Sequence, residues 1–263
     1  MTHNPKIQPA VLVTGGAKRV GAAIVRRFAK AGWRCVIHYR SSAGEAEHLR
    51  DEIAAAGGAA DLVQFELSDP AAIEAGLTAA FAAAPGLSVL VNSASIFAYD
   101  SPAAPSPAVW RDALSINTLA PILLSSGFAA RLAPQADDAC IVNMLDQKLH
   151  NLNPDYFSYT VSKAALEAAS QMMARAFAPR VRVVGVAPGL ILPSGDQTED
   201  EFNRSAVMNL LQRRTQLEEV VDGIYFLATS PSLTGQTLYI DSGQSLTAQE
   251  RDVMFLVRQP DKT

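Results

Sequence analysis

Seven short runs rich in β-branched and apolar residues alternate with helix-like stretches along this chain of 263 residues. The runs are AVLVT (10–14), RCVIHY (34–39), DLVQFEL (61–67), LSVLVN (87–92), CIVNML (140–145), VRVVGVA (181–187) and QTLYID (236–241). Helical patterns are expected over about 20–30, 42–57, from 70 after the cap Asp69-Pro70, 110–133, 155–178 and 217–228. Strands alternate with helices about seven times, with few adjacent hairpins. The pattern demands a parallel sheet with crossover helices on both faces, the doubly wound α/β class. A chain of this length, without low-complexity linkers, is read as a single domain over 1–263, with flexible ends at about 1–8 and 247–263. Residues 190–215 are read as a flap containing a short helix, and the tail from Thr247 has no evident partner.

In such folds ligands bind at the carboxyl ends of the strands. The first strand runs into TGGAKRVG, Thr14 to Gly21. Its glycines permit a tight turn and a close backbone approach, and the helix after it offers unpaired N–H groups to a pyrophosphate. The second strand ends in His38, Tyr39, Arg40 and Ser41, where an NAD site usually has a carboxylate; the first acid is Glu45. Arg40 and Ser41 suit a 2′-phosphate, with Lys18 and Arg19 adding positive charge, so NADP(H) is the expected cofactor. Tyr159 and Lys163, four apart on a predicted helix, share one face, where a phenol can transfer a proton beside an ammonium that lowers its pKa.

Composition narrows the partners. A formal charge of −4 and a pI near 5.6 give no basic stripe for nucleic acid. No metal site is expected: the two cysteines, Cys35 and Cys140, and the four histidines lack ligand spacing. The N-terminal stretch lacks the apolar core of a signal peptide, and no stretch is read as a membrane span, so a cytoplasmic location is expected.

Taken in order, the glycine turn, NSAS (Asn92 to Ser95), Asn117 in SIN, Tyr159-x-x-x-Lys163, Pro188-Gly189 and GQTLYIDSG resemble the short-chain dehydrogenase/reductases over nearly the whole length. The resemblance implies a single-domain Rossmann fold. It implies a tyrosine acid/base at Tyr159, a ribose-binding and pKa-lowering Lys163, and an Asn117 that holds a water in a proton relay. Cofactor contacts are implied for Thr14, Gly15, Gly16, Lys18, Arg19, Val20, Gly21, His38, Tyr39, Arg40, Ser41, Glu66, Leu67, Asn92, Ser93, Ala94, Tyr159, Lys163, Pro188 and Gly189. A homotetramer through the helices near 110–133 and 155–178 is also implied.

Two departures narrow this further. Arg19 stands where the usual T-G-x-x-x-G-x-G loop has its middle glycine, and Asp146 stands thirteen residues before Tyr159, where the usual catalytic serine lies. A serine donates to a substrate carbonyl, whereas an ionised aspartate only accepts. Both departures are similar to the pteridine reductase branch, which includes dihydromonapterin and dihydrofolate reductases of this fold. That likeness implies reduction of a ring C=N, with Asp146 and Tyr159 delivering the proton. Phe97 is implied to stack on the pterin, and Ser95, Arg19, Tyr156, Asp146 and Tyr159 to contact the substrate. The alternatives are a carbonyl reductase for 3-oxoacyl or other ketones, and a non-catalytic NADP(H)-binding protein.

Overall fold

Val11, Val13, Val89, Val91, Val142, Val184 and Val186 point to one face of a sheet, and their neighbours Leu12, Val36, Leu90, Ile141 and Val183 point to the other. Both sets are buried, which is why the strands read as unbroken apolar runs rather than as alternating ones. The computed structural model describes residues 8–132 and 138–258. Its strands are β1 (Ala10–Val13), β2 (Arg34–Tyr39), β3 (Ala59–Gln64), β4 (Leu87–Asn92), β5 (Ala139–Met144), β6 (Val181–Pro188) and β7 (Thr237–Ile240). They pair entirely in parallel in the order β3-β2-β1-β4-β5-β6-β7.

The helices are α1 (Arg19–Lys30), α2 (Ala43–Ala55), α3 (Pro70–Ala83), α4 (Pro107–Leu114), α5 (Ala120–Arg131), α6 (Phe157–Phe177), α7 (Glu199–Ser205), α8 (Leu217–Ala228) and α9 (Val253–Arg258). Helices α1, α2 and α8 cover one face with Ile24, Phe28, Leu49 and Ile224; α3, α5 and α6 cover the other with Leu77, Phe128 and Met173. The strand order reverses between β1 and β4, opening a crevice at their carboxyl ends.

Several expected boundaries shift for physical reasons. Asp69 caps α3 as expected, its carboxylate accepting from the Ala71 N–H at 2.9 Å. β3 stops at Gln64 rather than at 67, because its partner β2 ends at Tyr39, directly opposite Gln64. The helix expected over 110–133 starts earlier, at Pro107 behind the Ser106 cap, and is interrupted by a π-turn, Ser115–Leu119. This run, 107–131, is long and apolar enough by length and composition to cross a membrane, a test that a packed core helix also passes. Here it packs instead: Ala120, Leu124 and Phe128 are core residues.

The tail is also corrected. Its residues beyond 258, like 1–7, lie outside the described ones, but over 247–258 it folds onto its own chain. Val253 and Met254 are buried, and α9 lies against α7, the short helix of the expected flap. The Arg251 guanidinium forks onto buried Asp155 at 2.7 and 2.8 Å, and Arg258 pairs with Glu201 of α7 at 2.8 Å.

Candidate active site

The crevice is a cavity of about 670 Å³ whose walls come from the glycine turn, the ends of β2, β4, β5 and β6, and the tail. At one end, Gly15 sits at φ +62°, and an added Cβ would lie 3.1 Å from the Cα of Ala94. A Cβ on Gly21 would meet the Gly15 carbonyl oxygen at 2.1 Å. The turn and the first residues of α1 therefore fold this closely only with glycine at both places.

Thr14 and His38 hold this turn from behind. The Thr14 hydroxyl accepts from the Ser93 and Ala94 N–H groups at 3.0 and 3.1 Å, tying the end of β1 to that of β4. The His38 ring accepts at Nδ1 from the Gly15 N–H at 3.0 Å, which leaves its proton on Nε2, 3.1 Å from the Phe65 carbonyl. Burial lowers the His38 pKa to about 4, so the ring is neutral. Thr14, Gly16, His38, Glu66, Leu67 and Asn92 do not line the cavity, although cofactor contacts were expected of them. Asn92 instead donates to the Asn143 side chain at 2.8 Å in a buried polar chain between β4 and β5. Glu66 turns to the Ser68 N–H at 3.2 Å.

Gly15, Lys18, Arg19, Val20 and Gly21 do line it, as do Tyr39, Arg40 and Ser41, Ser93 and Ala94, and Pro188 and Gly189. Arg19 has a left-handed backbone, φ 51°, where its expected counterpart was a glycine, and its guanidinium donates to the Pro193 carbonyl of the flap at 2.6 Å. Lys18 pairs with Glu45 at 2.6 Å across the surface. Arg40 is 67% exposed, with Glu66 near it at 4.0 Å.

The other end is built around Asp146, just past β5. Its Oδ1 caps the following turn by accepting from the Lys148 N–H at 2.9 Å, and its Oδ2 accepts from the Tyr159 hydroxyl at 2.7 Å. Tyr159 and Lys163 project from the first turns of α6, and the Lys163 ammonium donates to the Met144 carbonyl at 2.7 Å. Burial pushes the Asp146 carboxyl up, against the pull of the Lys148 N–H and Tyr159. Burial lowers Lys163 to about 8, opposed by the charge of Asp146. Tyr159 stands well above its ordinary value, first through burial and then through Asp146. Burial and the neighbouring carboxylate outweigh the lowering expected from Lys163, whose ammonium lies 5.7 Å from the Tyr159 ring centroid.

Two further residues named from the sequence lie behind the cavity wall. Asn117 is fully buried in the π-turn and does not line the cavity. Its side chain is bonded to both the N–H and carbonyl of Ile96, at 2.9 and 3.0 Å, to Ser95 and to Ser162, so it ties the β4 loop to α6. Tyr156 is 5% exposed and lies behind Phe97 instead of in the cavity wall, the two rings stacked at 3.9 Å. Phe97 itself is 40% exposed, lines the cavity beside Ser95, and meets Tyr159 edge-on at 4.7 Å. Sequence reasoning missed Gln147, Lys148, Asp252 and Met254, which also line this end. The first two follow Asp146 directly; the last two come from the tail, where nothing local signals a site.

A family profile described as enoyl-(acyl carrier protein) reductase matches residues 15–245. Pteridine reductase 1 of Leishmania tarentolae is 30% identical, over 94% of this chain and 99% of that protein. A dihydromonapterin reductase of Enterobacter sp. (strain 638) is 27% identical, over 91% of this chain and 98% of its own. Among solved structures, the FolM alternative dihydrofolate reductase 1 of Brucella canis, complexed with NADP, superposes with a TM-score of 0.88 at 35% identity, covering 98% of both chains. A short-chain dehydrogenase from Burkholderia cenocepacia J2315 in complex with NADP gives 0.83 at 29% identity, covering 92% of this chain and 100% of that one. A seven-stranded parallel sheet, a glycine turn at its switch point, and a profile match over most of the length together show that the chain belongs to the short-chain dehydrogenase/reductase family.

Proposed function

We propose that this protein is an NADPH-dependent reductase of a ring C=N in a dihydropterin-type substrate. One observation carries the reading: the part-buried hydrogen bond between Tyr159 and Asp146, a carboxylate where a ketone reductase needs a hydroxyl donor. The relatives named for pterin and dihydrofolate reduction, and the neighbours complexed with NADP, support it.

The residues present fit NADP(H). The turn at Gly15 and Gly21 has backbone where side chains would otherwise stand, and α1 has no acid in its first turn to repel a pyrophosphate. Arg40, exposed and lining the cavity with Ser41, suits a 2′-phosphate. When bound, the nicotinamide supplies the hydride.

The chain's own groups manage the proton. Tyr159, its pKa raised by burial, stays protonated at neutral pH and carries the proton for the ring nitrogen. That proton rests on the hydrogen bond to Asp146 and turns to the ring nitrogen once substrate is seated. Lys163, charged below about pH 8, offsets the charge left on the phenolate after transfer. Asp146 uses one lone pair on each oxygen, for Lys148 and Tyr159, leaving the others for the N–H donors of an aminopyrimidine edge. Phe97 offers a flat apolar face of the kind a pterin stacks on.

The reading includes a homotetramer. Leu114 and Leu119 on the α4–α5 run and Met172 on α6 are exposed apolar side chains on the two helices expected to pack between subunits. The functional test is turnover. NADPH oxidation with dihydropterins, and little with a β-ketoacyl substrate, is the expected result; the reverse preference sinks the proposal.

A further inference from the structure

Phe97 stands on the loop between β4 and α4, so no helix or strand sets the plane of its ring. The terminal torsion of a phenylalanine is broad, and packing decides it. The ring is stacked on Tyr156, with centroids 3.9 Å and planes 19° apart. Tyr156 is stacked in turn on Phe255 of α9, at 6.1 Å and 27°, within the range of favourable ring pairs. Tyr99 meets Tyr156 and Phe255 edge-on, at 5.5 and 5.3 Å. Of these four rings, Phe97 alone lines the cavity.

The tail holds the inner rings in place. Asp155, the neighbour of Tyr156, accepts two bonds from Arg251 and one from the Asp252 N–H. The Arg251 guanidinium also lies 5.0 Å from the centre of the Phe255 ring, so the ion pair and the ring stack form one docking contact. The Tyr156 hydroxyl reaches the Met254 sulfur at 3.9 Å. Tyr156 itself has a left-handed backbone, φ 53°. A bulky residue keeps that conformation only where its surroundings impose it, and here those surroundings include Phe97 on one side of the contact list and α9 on the other.

We infer that Phe255 is a positioning residue for the substrate: through Tyr156 it fixes the plane of Phe97, the face on which a flat ring stacks. The inference rests on the reductase reading above. It gives the tail a part in substrate binding without any contact between Phe255 and the substrate.

A double-mutant cycle tests it. Binding of an oxidised, fluorescent pterin is titrated against the NADP-loaded, full-length wild type, Phe255→Ala, Phe97→Ala and the double variant. Phe255→Ala is expected to weaken binding about 3- to 10-fold and Phe97→Ala about 10-fold or more, the scale of aromatic contacts. The double variant should match Phe97→Ala within about 2-fold, because a residue that acts through Phe97 has nothing left to orient. Phe255→Tyr, which keeps the ring, should bind as the wild type does. Phe255→Leu keeps the bulk that docks the tail but loses the ring face, and should weaken binding in the same direction if Phe255→Ala does not fold. Wild-type affinity in both folded variants, or a double variant in which the two losses multiply to about 30- to 100-fold, overturns the inference. Turnover of a dihydropterin, measured alongside, judges the reductase reading separately. A wild type that binds the pterin but reduces no dihydropterin loses that reading and leaves the cycle to decide on Phe255; a wild type that binds no pterin overturns both.

Discussion

Lys163→Met should stabilise the cofactor-free protein at neutral pH, although it removes a group assigned to the chemistry. Lys163 is 3% exposed, and burial lowers its pKa from an ordinary value near 10.5 to about 8. Between about pH 8 and 10.5 the unfolded chain holds a proton that the folded one has lost, so stability rises with pH across that window. Below about 8 both states hold the proton, and the cost of burying the charge is fully present. At about 1.4 kcal/mol for each tenfold, that cost is roughly 3 kcal/mol. The substitution removes it, and also leaves the Met144 carbonyl without the lysine, which costs about 1 kcal/mol. A net gain of roughly 2 kcal/mol at pH 7 remains, a rise in Tm of about 4–8 °C for a domain of this size. Urea unfolding of both proteins at a series of pH values measures it. The variant should be the more stable at pH 7, and the gap should narrow as pH rises to about 9.5, most of the way through the window set by the two pKa values. Parallel profiles, or a less stable variant at pH 7, would refute the reasoning.

Arg40→Ala should weaken NADPH about 10- to 100-fold, the value of charge-assisted hydrogen bonds to a phosphate, and change NADH far less. An equal loss for both cofactors in binding titrations would place Arg40 elsewhere. For the assembly, sedimentation velocity should show a tetramer that Leu119→Glu breaks down, because a carboxylate in a helix-to-helix seam is left unpaired; a monomeric wild type contradicts the packing reading.

The sheet was legible in the sequence because strands buried on both faces must be apolar throughout, as in LSVLVN and VRVVGV. Their ends were less so. The extent of β3 depends on where β2 stops, which is a property of the pair and not of either stretch. The π-turn at Asn117 follows from side-chain bonds to Ile96, 21 residues away, and to Ser162, 45 away, and no local pattern encodes those.

The site divides in the same way. Tyr159 and Lys163 could be paired by helical spacing, and the glycine turn by its position after a strand. The contact between Asp146 and Tyr159 follows from the resemblance and not from periodicity. Tyr156 and Phe97 were both expected to face a substrate, but two aromatic rings this close bury each other, and only Phe97 keeps an open face. The tail was opaque because its anchors are remote: Arg251 meets Asp155 across 96 residues, and Asp252 meets Lys148 across 104.

The most direct test of the whole account is NADPH oxidation by the purified full-length protein with 7,8-dihydropterins, dihydrofolate and a β-ketoacyl substrate, alongside Tyr159→Phe. Turnover of a dihydropterin, little or none of the ketone, and loss of turnover in a variant that still binds NADPH are the predicted results. Reduction of the ketone with no activity on any pteridine would contradict the assignment of Asp146 as a substrate-selecting carboxylate.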